Sequence, residues 1–436
     1  MSRRELAGDA AAGPQPRRRE RAVDVLVVGT GPAGLAAAAR LAAHGAGKVE
    51  AIERDQDPGG IPRHSPHRGF GPRHRLLDGP SYARVLVDAA TAAGAVLRTS
   101  ATVTDWAGPL TLDLTTPAGL ERVTARAVVL ATGARERPRS ARLVPGTRPD
   151  GVLTTGELLR CAHRFGRRVG SRAVVVGSEP VALTAARTLR GTGTQVVALV
   201  TDREHGPPQS PRHRVPVLTG TTVAELTGRG RLTGVRLLGP DGVLRLIACD
   251  TVVFTGDWIP DHELARHGGV PLDPATRGPA VDTALRTARP GVFAAGNLLR
   301  GTEPAATAAD EGRHAATAVL RHLGGSPWPG TGPRLRCEPP LLGITPNLLP
   351  AAGPPPPHGR FLLRTAQRLP HAVLVVEQGG RLLHRQPLLG TAVPDRAVHL
   401  WAGWLGGVDR DGGEIRVSVM SDFRQPGTAE PPILAP

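Results

Sequence analysis

The stretch that most constrains this chain is Gly29-Thr30-Gly31-Pro32-Ala33-Gly34, set between an apolar run, Val23–Val28, and an alanine-rich segment, Ala33–His44. The apolar run predicts a buried strand, the alanine-rich segment a helix, and Val49–Glu53 a second strand, which together make a β-α-β unit. Each glycine of the G-x-G-x-x-G spacing has a physical task there. Gly29 permits the tight turn, Gly31 lacks the Cβ that would block a pyrophosphate, and Gly34 lets the helix lie close to the strand. The helix N-terminus at Pro32 and Ala33 then offers N–H groups and a positive dipole end to phosphate. Glu53 closes the second strand, where its carboxylate can accept both hydroxyls of a ribose. Arg54 beside it and Gly60 in the next loop are assigned to the same cofactor site.

Two later segments point to FAD as the dinucleotide. Ala131-Thr132-Gly133 ends the apolar strand Ala127–Leu130, and Gly296-Asn297 ends the strand Gly291–Ala295 late in the chain. With these three motifs in this order, residues 23–328 resemble the two-dinucleotide-binding-domain flavoproteins, the pyridine nucleotide–disulfide oxidoreductase superfamily in the broad sense. The resemblance implies that Ala131, Thr132 and Gly133 support the flavin fold, and that Gly296 and Asn297 lie by the ribityl chain and pyrophosphate. An Asp is usual at the position of Asn297, which keeps hydrogen-bonding capacity without the charge. It also implies a main-chain contact from Val103 to adenine, and a helix N-terminus at Ala305 facing the flavin pyrimidine ring, where its dipole favours the anionic reduced flavin.

A second unit begins near Ser171, with the strand Ala173–Val176, the helix Val181–Arg190 and the strand Gln195–Val200. Its turn reads Gly177-Ser178-Glu179-Pro180-Val181-Ala182, so Glu179 stands where the motif needs a bare backbone. A carboxylate about 5 Å from a phosphate costs on the order of 3 kcal/mol at an effective dielectric of about 20. Downstream, Asp202 suits a ribose and Arg203 a 2′-phosphate. NAD(P) binding and a retained fold that has lost it both remain open, with Glu179 weighing against the nucleotide.

The loop after Glu53 contains Gly59-Gly60-Ile61-Pro62-Arg63-His64. Disulfide reductases of the superfamily need a reactive cysteine pair, whereas Cys161, Cys249 and Cys337 are far apart, which excludes that activity. The loop, with Ala131–Pro138, Thr255–Pro260 and Gly291–Asn297, is similar to the FAD subunits of amine, amino-acid and opine dehydrogenases. That resemblance implies oxidation of a C–N bond by hydride transfer to flavin, with Arg63 and His64 as the catalytic pair that binds or polarises substrate. It also implies that electrons pass to a redox partner protein or second subunit, which would carry any iron–sulfur centre. His64, His67 and His74 suggest a metal site, but no Cys or carboxylate accompanies them and none is assigned.

The expected fold class is α/β, with two nested Rossmann-like dinucleotide-binding domains plus a small β-rich C-terminal domain. Residues 1–22 are expected to be a disordered basic tail, 23–150 and 245–328 the discontinuous FAD-binding domain, and 151–244 the NAD(P)-binding-like domain. Residues 329–436 are then a Pro-rich arm and the β-rich domain. The strands Thr222–Leu226, Gly234–Leu238, Val243–Ala248 and Thr251–Phe254 are expected to run antiparallel. The formal charge of +16 comes from 54 basic residues, all arginine except Lys48, spread along the chain. With aromatic residues at 3% there are few platforms for stacking bases, which argues against nucleic acid. No apolar run reaches the ~20 residues of a membrane span and no signal peptide is recognised, so a cytoplasmic location is expected. Three functions fit: an FAD-dependent amine or amino-acid dehydrogenase acting on a small-molecule substrate, an NAD(P)H-fed flavoprotein reductase, and a non-catalytic FAD-binding accessory subunit.

Overall fold

A computed structural model describes residues 18–71, 76–207 and 215–421. Most of the expected tail, together with His74, lies outside the described residues. The first unit is a five-stranded parallel sheet in the order Val292–Ala294, Ala127–Leu130, Val25–Val28, Val49–Ile52, Val96–Arg98. Its interior strands Ala127–Leu130 and Val25–Val28 are continuous apolar runs because both faces are covered, and Val49–Ile52 beside them departs from that only at Glu50. The helix Pro32–Ala43 packs on one face, with Leu35 and Leu41 fully buried. The helix Ala305–Leu323 lies against it, and the approach is so close that a Cβ on Gly312 would stand 2.0 Å from the Ala33 carbonyl oxygen.

The end of the expected tail is ordered. Arg19–Ala22 forms a strand parallel to Gly119–Thr124, joining a small sheet with Thr111–Thr116 and Thr102–Gly108. Buried ion pairs fix it there. Arg21 donates through Nε to Glu121 at 2.8 Å and through Nη2 to Glu50 at 2.7 Å, and Arg98 holds Glu121 with two bonds of 2.6 and 2.8 Å. Composition alone made this segment the end of a disordered basic tail, whereas Arg21 is held by two buried glutamates.

The second unit is also a parallel five-stranded sheet, ordered Val152–Thr154, Thr251–Phe254, Arg172–Val176, Gln195–Val200, Val217–Leu218. This corrects the antiparallel expectation for Thr251–Phe254, a strand buried at every position and therefore central to a doubly covered sheet. The three strands Thr222–Thr227, Gly234–Leu238 and Leu244–Ala248 do run antiparallel. The boundary expected at residue 244 moves to the hinge after Phe254. There Ala134–Glu136 and Trp258–Pro260 run antiparallel as the two strands that cross between the units.

Beyond Leu323 lies a β-rich domain of a five-stranded and a three-stranded sheet. The Pro-rich segment expected as an arm supplies three of these strands, Thr331–Cys337, Leu341–Thr345 and Leu348–Pro350. Proline is tolerated because it falls at irregularities: the pairing of the first strand shifts register between Thr331 and Arg334, around Pro333. Leu349, Phe361, Leu374 and Val417 form this domain's core.

Candidate active site

The glycine turn is built by close backbone approach. Gly29 has φ +102°, and a Cβ there would lie 2.4 Å from the Ala131 carbonyl oxygen; one on Gly34 would lie 1.8 Å from the Gly29 carbonyl oxygen. Gly31 differs: a Cβ built on it meets no atom within 4 Å. The helix that begins at Pro32 has no side-chain cap, which leaves its first N–H groups facing this opening. Gly60, at φ +64°, brings the next loop against the turn, with a built Cβ 2.8 Å from the Gly31 Cα. Ala131 donates to the Val28 carbonyl at 2.9 Å, and Gly296 packs its Cα face on Ala33. The early turn, the 131–133 segment and the late segment are thus brought together. The clear space beside Gly31, at the uncapped start of a helix, fits the pyrophosphate of a dinucleotide.

Glu53 is buried and its carboxylate is already organised. It accepts from the Thr30 hydroxyl at 2.6 Å, the Thr30 N–H at 3.3 Å and the Asp55 N–H at 3.0 Å. Three of about four lone-pair sites are therefore used within the protein, and the strand end is tied to the turn. Arg54 is mostly exposed and stands 3.6 Å from Asp261, whose main chain bonds Thr132 and Gly133 at 2.7 and 2.9 Å. Val103 lies in the strand Thr102–Gly108 opposite Leu114, partly buried against the first core. The Asn297 Oδ1 accepts from the Glu303 N–H at 3.0 Å, bracing the turn before the helix that starts at Ala305. The Gly296 N–H donates to the fully buried Glu311, whose carboxyl burial pushes above its ordinary pKa and Arg300 pulls down. Glu303 also accepts from Arg364 of the C-terminal domain at 2.6 Å, docking that domain at the helix start.

Arg63 and His64 sit on a short 3₁₀ turn, Ile61–His64, directly after Gly60. The Arg63 Nε–H donates to His64 Nε2 at 2.9 Å, Arg63 also pairs with Asp55, and Arg160 reaches the same Asp55 carboxylate at 2.9 Å. Arg63 Nη1 is buried with no hydrogen-bond partner among the described residues. Burial, with Arg63 and Arg160 nearby, lowers the His64 pKa to about 4. Arg160 and Arg164 come from a π-helical turn, Arg160–Arg164, of the second unit, and Arg164 bonds Gln56 at 3.0 Å. Sequence reasoning missed both, because nothing in 151–170 marks a π turn. It also passed over Thr30, the partner that holds Glu53. Among the described residues no three His, Cys, Asp or Glu side chains gather to hold a metal, and no helix is long and apolar enough to cross a membrane.

The family described as pyridine nucleotide-disulphide oxidoreductase matches residues 23–312, which take in both units and the three segments of the cradle. The chain belongs to that family. As a pyridine nucleotide-disulphide oxidoreductase it is a flavoprotein-type fold, and its three cysteines are all free. It is 29% identical over 343 residues to the A component of opine oxidase from Agrobacterium tumefaciens (strain Ach5), covering 69% of this chain and 66% of that one. It is 28% identical over 325 residues to the alpha component of sarcosine oxidase from Rhizobium meliloti (strain 1021), covering 69% of this chain and 31% of that one. The chain thus matches just under two thirds of the first relative and about a third of the second. Among solved structures, thioredoxin reductase of T. acidophilum shares the fold, with a TM-score of 0.59 at 24% identity over 69% of this chain and 99% of that one. The β-rich C-terminal domain falls outside the family match.

Proposed function

We propose that this chain is an FAD-dependent oxidoreductase that dehydrogenates an amine or amino-acid-like substrate and passes the electrons to a redox partner protein or second subunit. The observation that carries the reading is the buried, unpartnered Nη1 of Arg63, one loop away from the glycine turn. An unpaired guanidinium N–H in the interior costs more than it returns unless a ligand completes it. With Nε on His64 and Nη2 on Asp55, the Nη1 hydrogens are left to donate to an oxygen of a carboxylate, the group an amino acid carries next to its amine.

Bound in the cradle, FAD would supply the two-electron acceptor. The chain's own residues would do the rest. Gly31 and the uncapped start of the helix Pro32–Ala43 would take the pyrophosphate, and Glu53 the ribose. Arg63 would hold the substrate carboxylate, while neutral His64 fixes the guanidinium by accepting from its Nε–H. Asp55 keeps Arg63 and Arg160 together and balances part of their charge. The names of the relatives support this reading, since both belong to oxidases acting, by those names, on an opine and on sarcosine.

Anaerobic mixing of the purified yellow protein with candidate reductants tests it. Flavin bleaching by an amino acid, N-alkyl amino acid or opine, with NADH and NADPH inert, is the expected result. Bleaching by a nicotinamide alone would make the chain a reductase instead. No bleaching by any of them, with FAD held tightly, would make it an accessory subunit.

A further inference from the structure

The second glycine turn carries the hallmarks of a nucleotide cradle and yet is furnished with an anion of its own. The helix Pro180–Gly191 begins, like its counterpart in the first unit, with a proline after the turn, and Glu179 stands at its N-cap position. The Glu179 side chain folds back into the turn. Its Oε2 accepts from the Ser178 N–H at 3.2 Å and from the Thr255 hydroxyl at 3.3 Å. The space around it is used up: a Cβ on Gly177 would lie 2.7 Å from Oε2, and one on Gly256 would lie 2.2 Å from Oε1. Main-chain N–H groups of such a turn form the concavity that receives phosphate. Here a carboxylate already receives one of them, from Ser178, and fills the space in front of the turn, in contrast to the clear space beside Gly31.

A second carboxylate closes the far end. Arg203, just past the strand Gln195–Val200, is where a 2′-phosphate would be recognised, and its Nη1 donates to Asp395 at 2.6 Å. Asp395 comes from the C-terminal domain, on the loop between the strands Arg381–Pro387 and Val398–Trp401. Glu179, Arg203 and Asp395 are close enough for both of the latter to act electrostatically on the Glu179 carboxyl, which burial pushes above its ordinary pKa.

We infer that the second cradle of this chain does not take a nicotinamide dinucleotide, because Glu179 occupies the pyrophosphate position and Asp395 the 2′-phosphate position. The nucleotide site has become an intramolecular docking site for the C-terminal domain. The inference is independent of which substrate reduces the flavin, because its readout is nucleotide binding.

The test is calorimetric titration of the FAD-loaded full chain with NADH and NADPH, for wild type, Glu179→Gly, and Glu179→Gly with Asp395→Ala. Wild type is expected to show no saturable binding. The double variant is expected to bind at least about tenfold more tightly than wild type, and NADPH ahead of NADH because Arg203 is freed. Adding Arg203→Ala should erase that preference. Micromolar binding of either nucleotide to wild type overturns the inference, and so does a double variant that keeps its flavin spectrum and binds no better. If the double variant loses its flavin, Asp395→Ala alone carries the test with adenosine 2′-monophosphate as probe. A gain of binding over wild type supports the inference, and no gain overturns it.

Discussion

Arg63 donates its Nε–H to His64 Nε2 at 2.9 Å, and this bond sets the state of both side chains. Arginine has no acceptor, so Nε2 must offer its lone pair and the ring must be neutral, with its hydrogen on Nδ1. The burial and positive neighbours that lower the His64 pKa to about 4 favour the same form. Histidine here holds an arginine in place and does not carry a charge at neutral pH.

Replacing Arg63 by Ala should raise the KM for a carboxylate substrate by about 10- to 100-fold, the worth of a charge-assisted bond, and leave FAD bound. His64→Ala should have a smaller effect of the same kind, about three- to tenfold, because it acts through Arg63. Steady-state kinetics beside the flavin absorbance of each variant check both. Unchanged kinetics in the two variants would remove this loop from the mechanism.

Acid should weaken the fold through His64 over a defined window. The unfolded ring titrates near 6.5 and the folded one near 4, so between those values the unfolded state binds more protons. The contribution is complete above about pH 6.5 and is lost as pH falls towards 4. Thermal unfolding from pH 7.5 to 4 should show a shallower decline in His64→Gln than in wild type.

Glu53→Ala should cost FAD affinity of about 10- to 100-fold, through a lost ribose acceptor and a loosened Thr30 turn. Reconstitution of the apoprotein, followed by flavin fluorescence, measures it. Retained wild-type affinity would assign Glu53 to the loop alone.

The buried group of Arg21, Glu50, Arg98 and Glu121 predicts a large stability effect far from the cradle. Arg98 holds the Glu121 carboxyl down to about 2. Arg98→Ala would leave buried carboxylates underpaired and should cost about 3–5 kcal/mol in urea unfolding. Arg122, half-buried beside Asp113 at the edge of the same sheet, is the contrasting control, with an expected cost well below that of Arg98→Ala.

The sequence was most legible where spacing and chemistry coincide. Gly29, Gly31, Gly34 and Glu53 are separated along the chain by amounts that only one local geometry accommodates, and Ala131 and Gly296 meet them as the ends of neighbouring strands. It was least legible where function depends on side chains delivered from another domain. Arg160 reaches Asp55 across more than a hundred residues, and Asp395 reaches Arg203 across nearly two hundred. No local pattern encodes such meetings. Thr251–Phe254 shows a third case: an apolar run of four does not say which partners flank it, and tertiary packing made it a parallel central strand. The strand Arg19–Ala22 was hidden because Glu50 and Glu121, the acids that hold Arg21, lie in distant strands.

The hinge strands Ala134–Glu136 and Trp258–Pro260 run side by side, so the chain leaves the first unit and re-enters it at nearly one point. Everything between them is therefore a cassette with adjacent ends. A tight turn joining the two strands would excise it without pulling the flavin sheet apart, and an unrelated domain could be spliced in at the same scar. Such a graft would separate what the inserted unit contributes as a wall beside Arg63 from what the first unit does alone.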